Sequence, residues 1–173
     1  MPHLHLSLQA GSDLILKRMK RRHLTADARA AIERARRLRP GIAIGADLIA
    51  GFPTETDDLF AETLDFVAQA DLPFLHVFPY SARPGTPAAR MPAVPMATRR
   101  ERAAQLRAAG EAAAARFARA RIGADLSVLT ETESAGHCAH FAPVRLTVPV
   151  AAGAIQRARA VGADGATLVA EPF

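Results

Sequence analysis

Apolar stretches alternate with amphipathic ones in the first half of the chain. Residues 3–8 alternate between apolar and polar and predict a strand, while Ile42 to Ala50 and Phe74 to Tyr80 are continuous apolar runs typical of buried strands. Apolar residues recur at helical spacing in 13–19, 26–38 and 55–70, which predicts three helices. The order β, α, α, β, α, β favours an α/β fold whose parallel strands are joined by right-handed crossovers.

The second half has a different pattern. A proline-rich loop at 81–95 precedes a long, Ala- and Arg-rich helix that ends near residue 122, with Thr98 and Glu101 as its predicted capping box. Short apolar runs broken by glycine and proline then predict a small antiparallel β-barrel. We therefore divide the chain into 1–95, a linker helix at 96–122 and a β-barrel at 123–173.

The predicted sheet is incomplete as a barrel. Three parallel strands do not close on themselves, and the first strand, which follows Met1-Pro2 directly, would lie at a bare edge. The simplest expectation is that the chain is the C-terminal part of something larger.

The strongest candidate for ligand binding is the stretch Asp47 to Thr56, where a strand passes into a helix through Gly51. Thr54 is the predicted N-cap of that helix, with Asp57 as its capping partner. Asp47 carries a charge within a buried strand, so it needs a partner: a structural arginine, or a place in the site.

Two roles remain open for each of the next residues. Gly51 permits close approach of the backbone. Phe52 and Pro53 either flank an adenine or pack the loop, and Glu55 either receives a polar group of a ligand or only favours the helix dipole.

Composition narrows the classes of function. A single cysteine, Cys138, excludes an internal disulfide framework and any metal site built from several cysteines of this chain, and it suggests a reducing, cytoplasmic environment. No run is long enough to span a membrane, so we expect no membrane partner. The G-x-x-x-x-G-K-[ST] and G-x-G-x-x-G phosphate motifs are absent, which disfavours a phosphate-binding α/β enzyme.

The net charge of +5 is unevenly spread. Residues 15–39 contain ten basic residues against two acidic ones, and 123–173 contain three against five. Basic clusters favour a polyanion such as nucleic acid, although solvated helix faces in an arginine-rich chain explain them equally well.

Four linked motifs resemble the radical-SAM tRNA methylthiotransferases, in order and in spacing. They are Leu6-Ser7-Leu8-Gln9-Ala10-Gly11-Ser12-Asp13, Leu16-Lys17-Arg18-Met19-Lys20-Arg21-Arg22, Asp47-Leu48-Ile49-Ala50-Gly51-Phe52-Pro53-Thr54-Glu55-Thr56 and His76-Val77-Phe78-Pro79-Tyr80-Ser81-Ala82-Arg83-Pro84-Gly85-Thr86-Pro87-Ala88. The basic 17–22 run and the short tail are most similar to the branch that acts on threonylcarbamoyladenosine beside the anticodon. The tail is similar, more weakly, to the TRAM module of that family.

The resemblance implies a fold and a chemistry. The chain would hold the C-terminal half of a radical-SAM partial (β/α) barrel, a long helix and a TRAM-like barrel. In the family a 4Fe-4S cluster cleaves S-adenosylmethionine to a deoxyadenosyl radical, a second cluster takes part in sulfur insertion, and a methylthio group ends on C2 of the adenine. Both cysteine sets would lie upstream of Met1, so this chain lacks the residues that hold iron, and we expect it to be inactive alone.

The resemblance also implies site residues and partners. The residues expected at the S-adenosylmethionine site are Gln9, Ser12, Asp47, Gly51, Phe52 and Glu55, although Ser12 and Gln9 equally suit a helix cap and a turn. The residues expected to contact tRNA are Lys17, Arg18, Lys20, Arg21, Arg22, Arg83, Phe141 and Arg145. The other expected partner is the missing N-terminal half, in the same chain or separate.

Three features leave the assignment open. The six histidines show no convincing ligand spacing, and His137-Cys138-Ala139-His140 has too few ligands for a metal, so no metal site is predicted. The acidic balance of the tail is unusual for an RNA-binding barrel, and Phe141 suits a core position as well as a stacking one. The alternative function is a non-catalytic RNA-binding remnant or subunit.

Overall fold

The computed structural model describes all 173 residues, Met1–Phe173. The first half contains three strands and three helices in the predicted order. They are β1 (His3–Gln9), α1 (Asp13–Arg18), α2 (Thr25–Leu38), β2 (Ala43–Ala50), α3 (Asp57–Ala70) and β3 (Phe74–Pro79). A single 3-10 turn at Ala88–Arg90 interrupts the proline-rich loop that follows.

The three strands form a parallel sheet in the order β1-β2-β3, which confirms the predicted α/β architecture. β2 is the central strand, and helices cover one of its faces, where Ile44, Ala46, Leu48 and Ala50 are fully buried. Asp47 and Ile49, on the other face, are half-buried. Leu8, Ile44, Leu48, Phe66 and Leu106 belong to the resulting core. β1 and β3 both lie at edges of the sheet, as expected for part of a barrel.

The helix α4 (Met96–Arg119) joins the two halves of the molecule. It contacts β2, β3 and α3 on one side and the barrel strands β7 and β8 on the other. Ala103 and Leu106 of this helix enter the core of the sheet, and Ala118 enters the core of the barrel. No helix of the protein is both long and apolar enough to cross a membrane.

The tail forms a closed barrel of five strands, in the order β4-β5-β6-β8-β7. Its strands are β4 (Asp125–Thr130), β5 (Ala135–Cys138), β6 (Pro143–Leu146), β7 (Ile155–Asp164) and β8 (Thr167–Pro172). The predicted barrel is confirmed, but one pair, β6 with β8, is parallel, and the sequence pattern missed β5 and β7. In β7 only alternate alanines face the core while arginines face out, so the strand has no apolar run to detect.

Two predicted helix starts are wrong. Thr56, and not Thr54, caps α3, since its hydroxyl accepts from the backbone N–H of Leu59, whereas Thr54 has a left-handed φ of 67°. The predicted Thr98 and Glu101 capping box does not form, because α4 already begins at Met96 after Pro95. Pro95 occupies the N-cap position, with a φ of −55° and a ψ of 144°, and it provides no side-chain cap.

Aromatic rings pack against one another where the sheet meets the barrel. The ring of His3 lies 4.7 Å from that of Phe141 and 5.6 Å from that of Phe74, and Phe74 meets Phe117 of α4 at 5.6 Å. His140 packs on Phe117 at 5.9 Å, and the Arg121 guanidinium lies over the same ring. Burial, together with the positive charges of Arg121 and Arg39, lowers the pKa of His140 to about 4.

This histidine makes stability depend on pH. Below its ordinary pKa of 6.5 the unfolded chain takes up a proton at His140, whereas the folded chain does not until about pH 4, so its contribution to stability is lost as the pH falls through this window. We expect His140→Gln to flatten the decline of the urea-unfolding midpoint between pH 6.5 and 4 relative to the parent chain. Parallel declines in the two proteins would show that His140 titrates alike when folded and unfolded.

Candidate functional site

A cavity of about 600 Å³ opens at the carboxyl ends of the three parallel strands. Gln9 ends β1, Ile49 lies near the end of β2, and Tyr80 follows β3, so all three strands contribute to its wall. The carboxyl ends of parallel strands meet at one edge of a sheet, which is where α/β proteins bind ligands. The position of the cavity therefore follows from the topology.

The polar lining of this cavity includes three of the predicted site residues, Gln9, Asp47 and Arg83. Gln9 has a left-handed φ of 75° where the register with β2 shifts, and this turns the chain away from the strand. Arg83 is exposed on the loop after β3. Ile49, Phe78 and Pro79 add an apolar wall. The sequence analysis missed Tyr80 as a lining residue, although its place directly after a strand was a usable signal.

Two buried hydroxyl groups near these strand ends have no hydrogen-bond partner. Tyr80 is 8% exposed and lines the cavity, and Ser12 is fully buried at the start of α1. Buried hydroxyl groups normally have partners, and an unpaired one costs about 1–3 kcal/mol. Tyr80 in particular suits a ligand that would supply the missing hydrogen bond.

Asp47 does not pair with a structural arginine, which was one of its two predicted roles. Its Oδ1 lies 2.9 Å from Nε2 of His5 on β1 and 3.4 Å from Nδ1 of His76 on β3. No lysine or arginine pairs with it, because both neighbouring strands present imidazoles at this level of the sheet. His3 lies two residues before His5 on β1. Burial and the nearby imidazoles of His5 and His76 lower the pKa of His3.

The loop after β2 is held by a buried ion pair. Oε2 of Glu55 accepts from the backbone N–H of Gly51 at 2.9 Å and from Nη1 of Arg102, on α4, at 2.8 Å. Arg102 also donates to the carbonyl of Glu55 and to the exposed Asp57. Burial raises the pKa of the Glu55 carboxyl, while the Gly51 N–H and the Arg102 guanidinium oppose that shift.

Gly51 and Phe52 also make packing contacts in this loop. Gly51 has a φ of 71°, and a Cβ added to it would meet Cγ of Arg99 at 2.5 Å, so only glycine fits between loop and helix. Phe52 is 5% exposed and meets the Tyr80 ring edge-on at 5.3 Å. Gly51 and Glu55 do not line the large cavity, and their contact with a cofactor stays a prediction.

A second cavity of about 340 Å³ adjoins the first and shares Gln9, Ile49 and Thr86 with it. Arg18, Lys20 and Arg21 of the basic segment line it, as does Phe52. Arg18 and Arg21 are half-buried and donate to the carbonyls of Thr54 and Ser7, whereas Lys17, Lys20 and Arg22 are exposed. The basic segment is thus partly structural and partly free to meet a polyanion.

The predicted RNA contacts of the tail lie apart from each other. Phe141 is 49% exposed with a φ of 65°, and its ring packs on His3 at the contact between sheet and barrel. Arg145 is exposed on β6, 3.8 Å from the carboxylate of Asp164. Elsewhere in the barrel, Arg157 and Arg159 of β7 lie over the ring of Phe173. The sequence analysis missed this arginine and phenylalanine group.

The chain does not provide ligands for an iron–sulfur cluster. Such clusters need several cysteine thiolates, and the one cysteine, Cys138, is buried in the core of the tail barrel. The residues at the strand ends do fit S-adenosylmethionine. They combine an amide, a carboxylate, a guanidinium and an unpaired hydroxyl with an apolar wall.

Residues 1–67 match the family model of the Radical SAM superfamily. The chain is 47% identical over 164 residues to the threonylcarbamoyladenosine tRNA methylthiotransferase of Rickettsia prowazekii. The aligned region covers 95% of the chain and 39% of that relative. The corresponding protein of Thermotoga maritima is 40% identical over 131 residues, 75% of the chain and 30% of that relative. These matches confirm the resemblance to the radical-SAM tRNA methylthiotransferases.

A relative named for a different substrate is also similar to this chain. The tRNA-2-methylthio-N(6)-dimethylallyladenosine synthase of Ruegeria pomeroyi is 38% identical over 178 residues, 99% of the chain and 40% of that relative. The chain thus spans about two fifths of the length of the curated relatives that it matches most fully.

The Glu55–Arg102 pair yields a prediction about stability. Arg102→Met would leave the Glu55 carboxylate, whose side chain is 1% exposed, without its cation, and we expect a loss of about 3–5 kcal/mol in the free energy of unfolding. Urea unfolding followed by circular dichroism measures this. The matched control, Arg116→Met, removes an exposed pair with Asp71 and should cost less than about 1 kcal/mol. Similar losses in both variants would contradict the structural role of the buried pair.

Proposed function

We propose that the chain is part of a tRNA methylthiotransferase that adds a methylthio group to C2 of N6-threonylcarbamoyladenosine beside the anticodon. The observation that carries the proposal is the cavity at the carboxyl ends of β1, β2 and β3, which adjoins the basic segment 17–22. The identity to the two threonylcarbamoyladenosine tRNA methylthiotransferases supports the choice of substrate.

In this proposal the strand ends bind the cofactor. S-Adenosylmethionine held there, with a 4Fe-4S cluster bound by residues outside this chain, would supply the radical chemistry that acts on the adenine. Gln9 and the Tyr80 hydroxyl would donate hydrogen bonds to the cofactor, and the apolar wall of Ile49 and Phe78 would exclude water from one side of it. The buried Ser12 hydroxyl at the start of α1 is a further candidate donor.

The substrate would approach over the basic segment. Lys17, Lys20 and Arg22 are exposed, and phosphate contacts from such residues position RNA without reading its sequence. Arg83, exposed beside the cavity, would contact the RNA close to the target base. Phe141 and Arg145 of the tail remain proposed RNA contacts, by stacking and by charge.

The activity test uses a chimera in which this chain replaces the matching part of the Rickettsia prowazekii relative. Nucleoside mass spectrometry of tRNA from a host that lacks its own enzyme should detect the 2-methylthio product with the chimera and none with the chain alone. We expect Gln9→Ala and Tyr80→Phe to lower the product roughly three- to tenfold, since each removes one hydrogen bond. Gln156→Ala, a matched change in the tail barrel, should leave the amount of product unchanged.

The two outcomes of this experiment separate the proposed function from its alternative. A folded chimera that binds tRNA without forming product would favour the non-catalytic RNA-binding subunit. Product from the chain alone would refute the assignment of the iron ligands to residues outside it.

The RNA surface is tested by salt dependence. Replacement of Lys17, Lys20 and Arg22 by glutamine should weaken binding of a threonylcarbamoyladenosine-containing anticodon stem-loop, and should reduce the slope of log K against log salt by roughly 2–3. Fluorescence anisotropy over a salt series measures this slope. The control variant replaces three exposed arginines at the end of α2 by glutamine, so that both triple variants have the same net charge. These arginines are Arg34, Arg37 and Arg39. Equal effects of the two triple variants would place RNA binding elsewhere.

A further inference from the structure

Three side chains from three different strands meet on the open face of the sheet. His5 on β1, Asp47 on β2 and His76 on β3 have donor atoms that all lie within 4.8 Å of one another. The two imidazole rings lie 4.7 Å apart with the Asp47 carboxylate between them. The pairing register explains the meeting, since His5 lies opposite Gly45 and His76 lies opposite Asp47, and Gly45 and Asp47 share one face of β2.

The backbone makes room for this cluster. A Cβ added to Gly45 would lie 2.5 Å from Nδ1 of His5 and 2.7 Å from the backbone carbonyl oxygen of Phe74. Gly45 has no left-handed φ that would otherwise require glycine. Glycine at this position therefore leaves room for both the His5 ring and the Phe74 carbonyl.

The chemistry of the three donors is that of a transition-metal site. Two neutral imidazoles and one carboxylate, with positions left open, suit Zn²⁺ and Fe²⁺. Four donors held tetrahedrally at about 2.0–2.1 Å from zinc lie about 3.3 Å from one another. Oδ1 of Asp47 lies 2.9 and 3.4 Å from the two imidazole nitrogens, and all three donors lie within 4.8 Å of one another. Small side-chain rotations would bring all three donors to one ion.

We propose that His5, Asp47 and His76 bind one divalent transition-metal ion, separate from any iron–sulfur cluster. The side chains of His5 and Asp47 are each 29% exposed and that of His76 is 63% exposed, so an ion can reach them. Asp47 also lines the large cavity, so the proposed site lies beside its occupant. An oxygen or nitrogen donor of that occupant would complete the coordination.

The test is metal titration of the full 173-residue chain, purified without a histidine tag and treated with a chelator. Competition with a chromophoric chelator should show one equivalent of Zn²⁺ bound, and Co²⁺ should give the visible absorption of a bound ion, while Mg²⁺ should not compete because it prefers oxygen ligands. We expect His76→Gln and Asp47→Asn to weaken Zn²⁺ binding roughly 100-fold or more.

The matched control is His137→Gln. The His137 side chain is partly exposed, and its Nδ1 lies 3.0 Å from Oε1 of Glu131, but this pair has no third ligand. It should leave Zn²⁺ affinity and stoichiometry unchanged. Because His76 is the most exposed of the three ligands, its variant should keep the parent's circular dichroism spectrum, and loss of binding then reports the ligand and not the fold. Absence of saturable Zn²⁺ binding, or equal binding by His76→Gln and His137→Gln, would overturn the proposal.

Discussion

The buried pair between Glu55 and Arg102 is the interaction on which the arrangement of this molecule depends. Oε2 of Glu55 is shared between the Gly51 N–H and the Arg102 guanidinium, so one carboxylate closes the loop after β2 and ties it to α4. Removing two charges from water is costly, and the cost is offset only where the geometry is good and the remaining polar groups are satisfied. Arg102 meets that condition with further hydrogen bonds to the Glu55 carbonyl and to Asp57.

Helix α4 contacts the loops at the strand ends with one end and the tail barrel with the other. Next to this pair, Arg99 packs on Gly51 and donates to the carbonyls of Tyr80 and Val94, which fixes the chain as it leaves β3. Further along, α4 enters the core of the tail barrel at Ala118. A single helix therefore sets the loops at the strand ends and the position of the barrel relative to the sheet.

This arrangement explains why the candidate site combines rigid and open parts. Gly51 and Glu55 make packing and hydrogen-bond contacts within the loop, whereas Gln9, Asp47 and Tyr80 line the cavity. The open face of the sheet carries polar side chains because no helix covers it, and the radical-SAM relatives are more than twice as long as this chain.

Local patterns in the sequence determined much of the fold. Apolar runs and helical periodicity identified the three strands and helices of the sheet, because burial imposes those periods directly on neighbouring residues. They failed at Thr54 and Thr98, where backbone conformation decided the cap, and at β7, where small alanines replace the usual apolar run. The motifs also located Gln9 at the end of β1, Asp47 in the second half of β2 and Arg83 after β3, since the carboxyl ends of parallel strands share one edge of the sheet.

Only the tertiary structure decided which distant residues meet. His5, Asp47 and His76 are separated by tens of residues and show no ligand spacing, yet the register of three strands places them together. Arg102 likewise appeared as one of many arginines on a long helix until its pairing with Glu55 was seen. Sequence spacing reports contacts within one element, whereas contacts between elements depend on register and packing, which no short segment encodes.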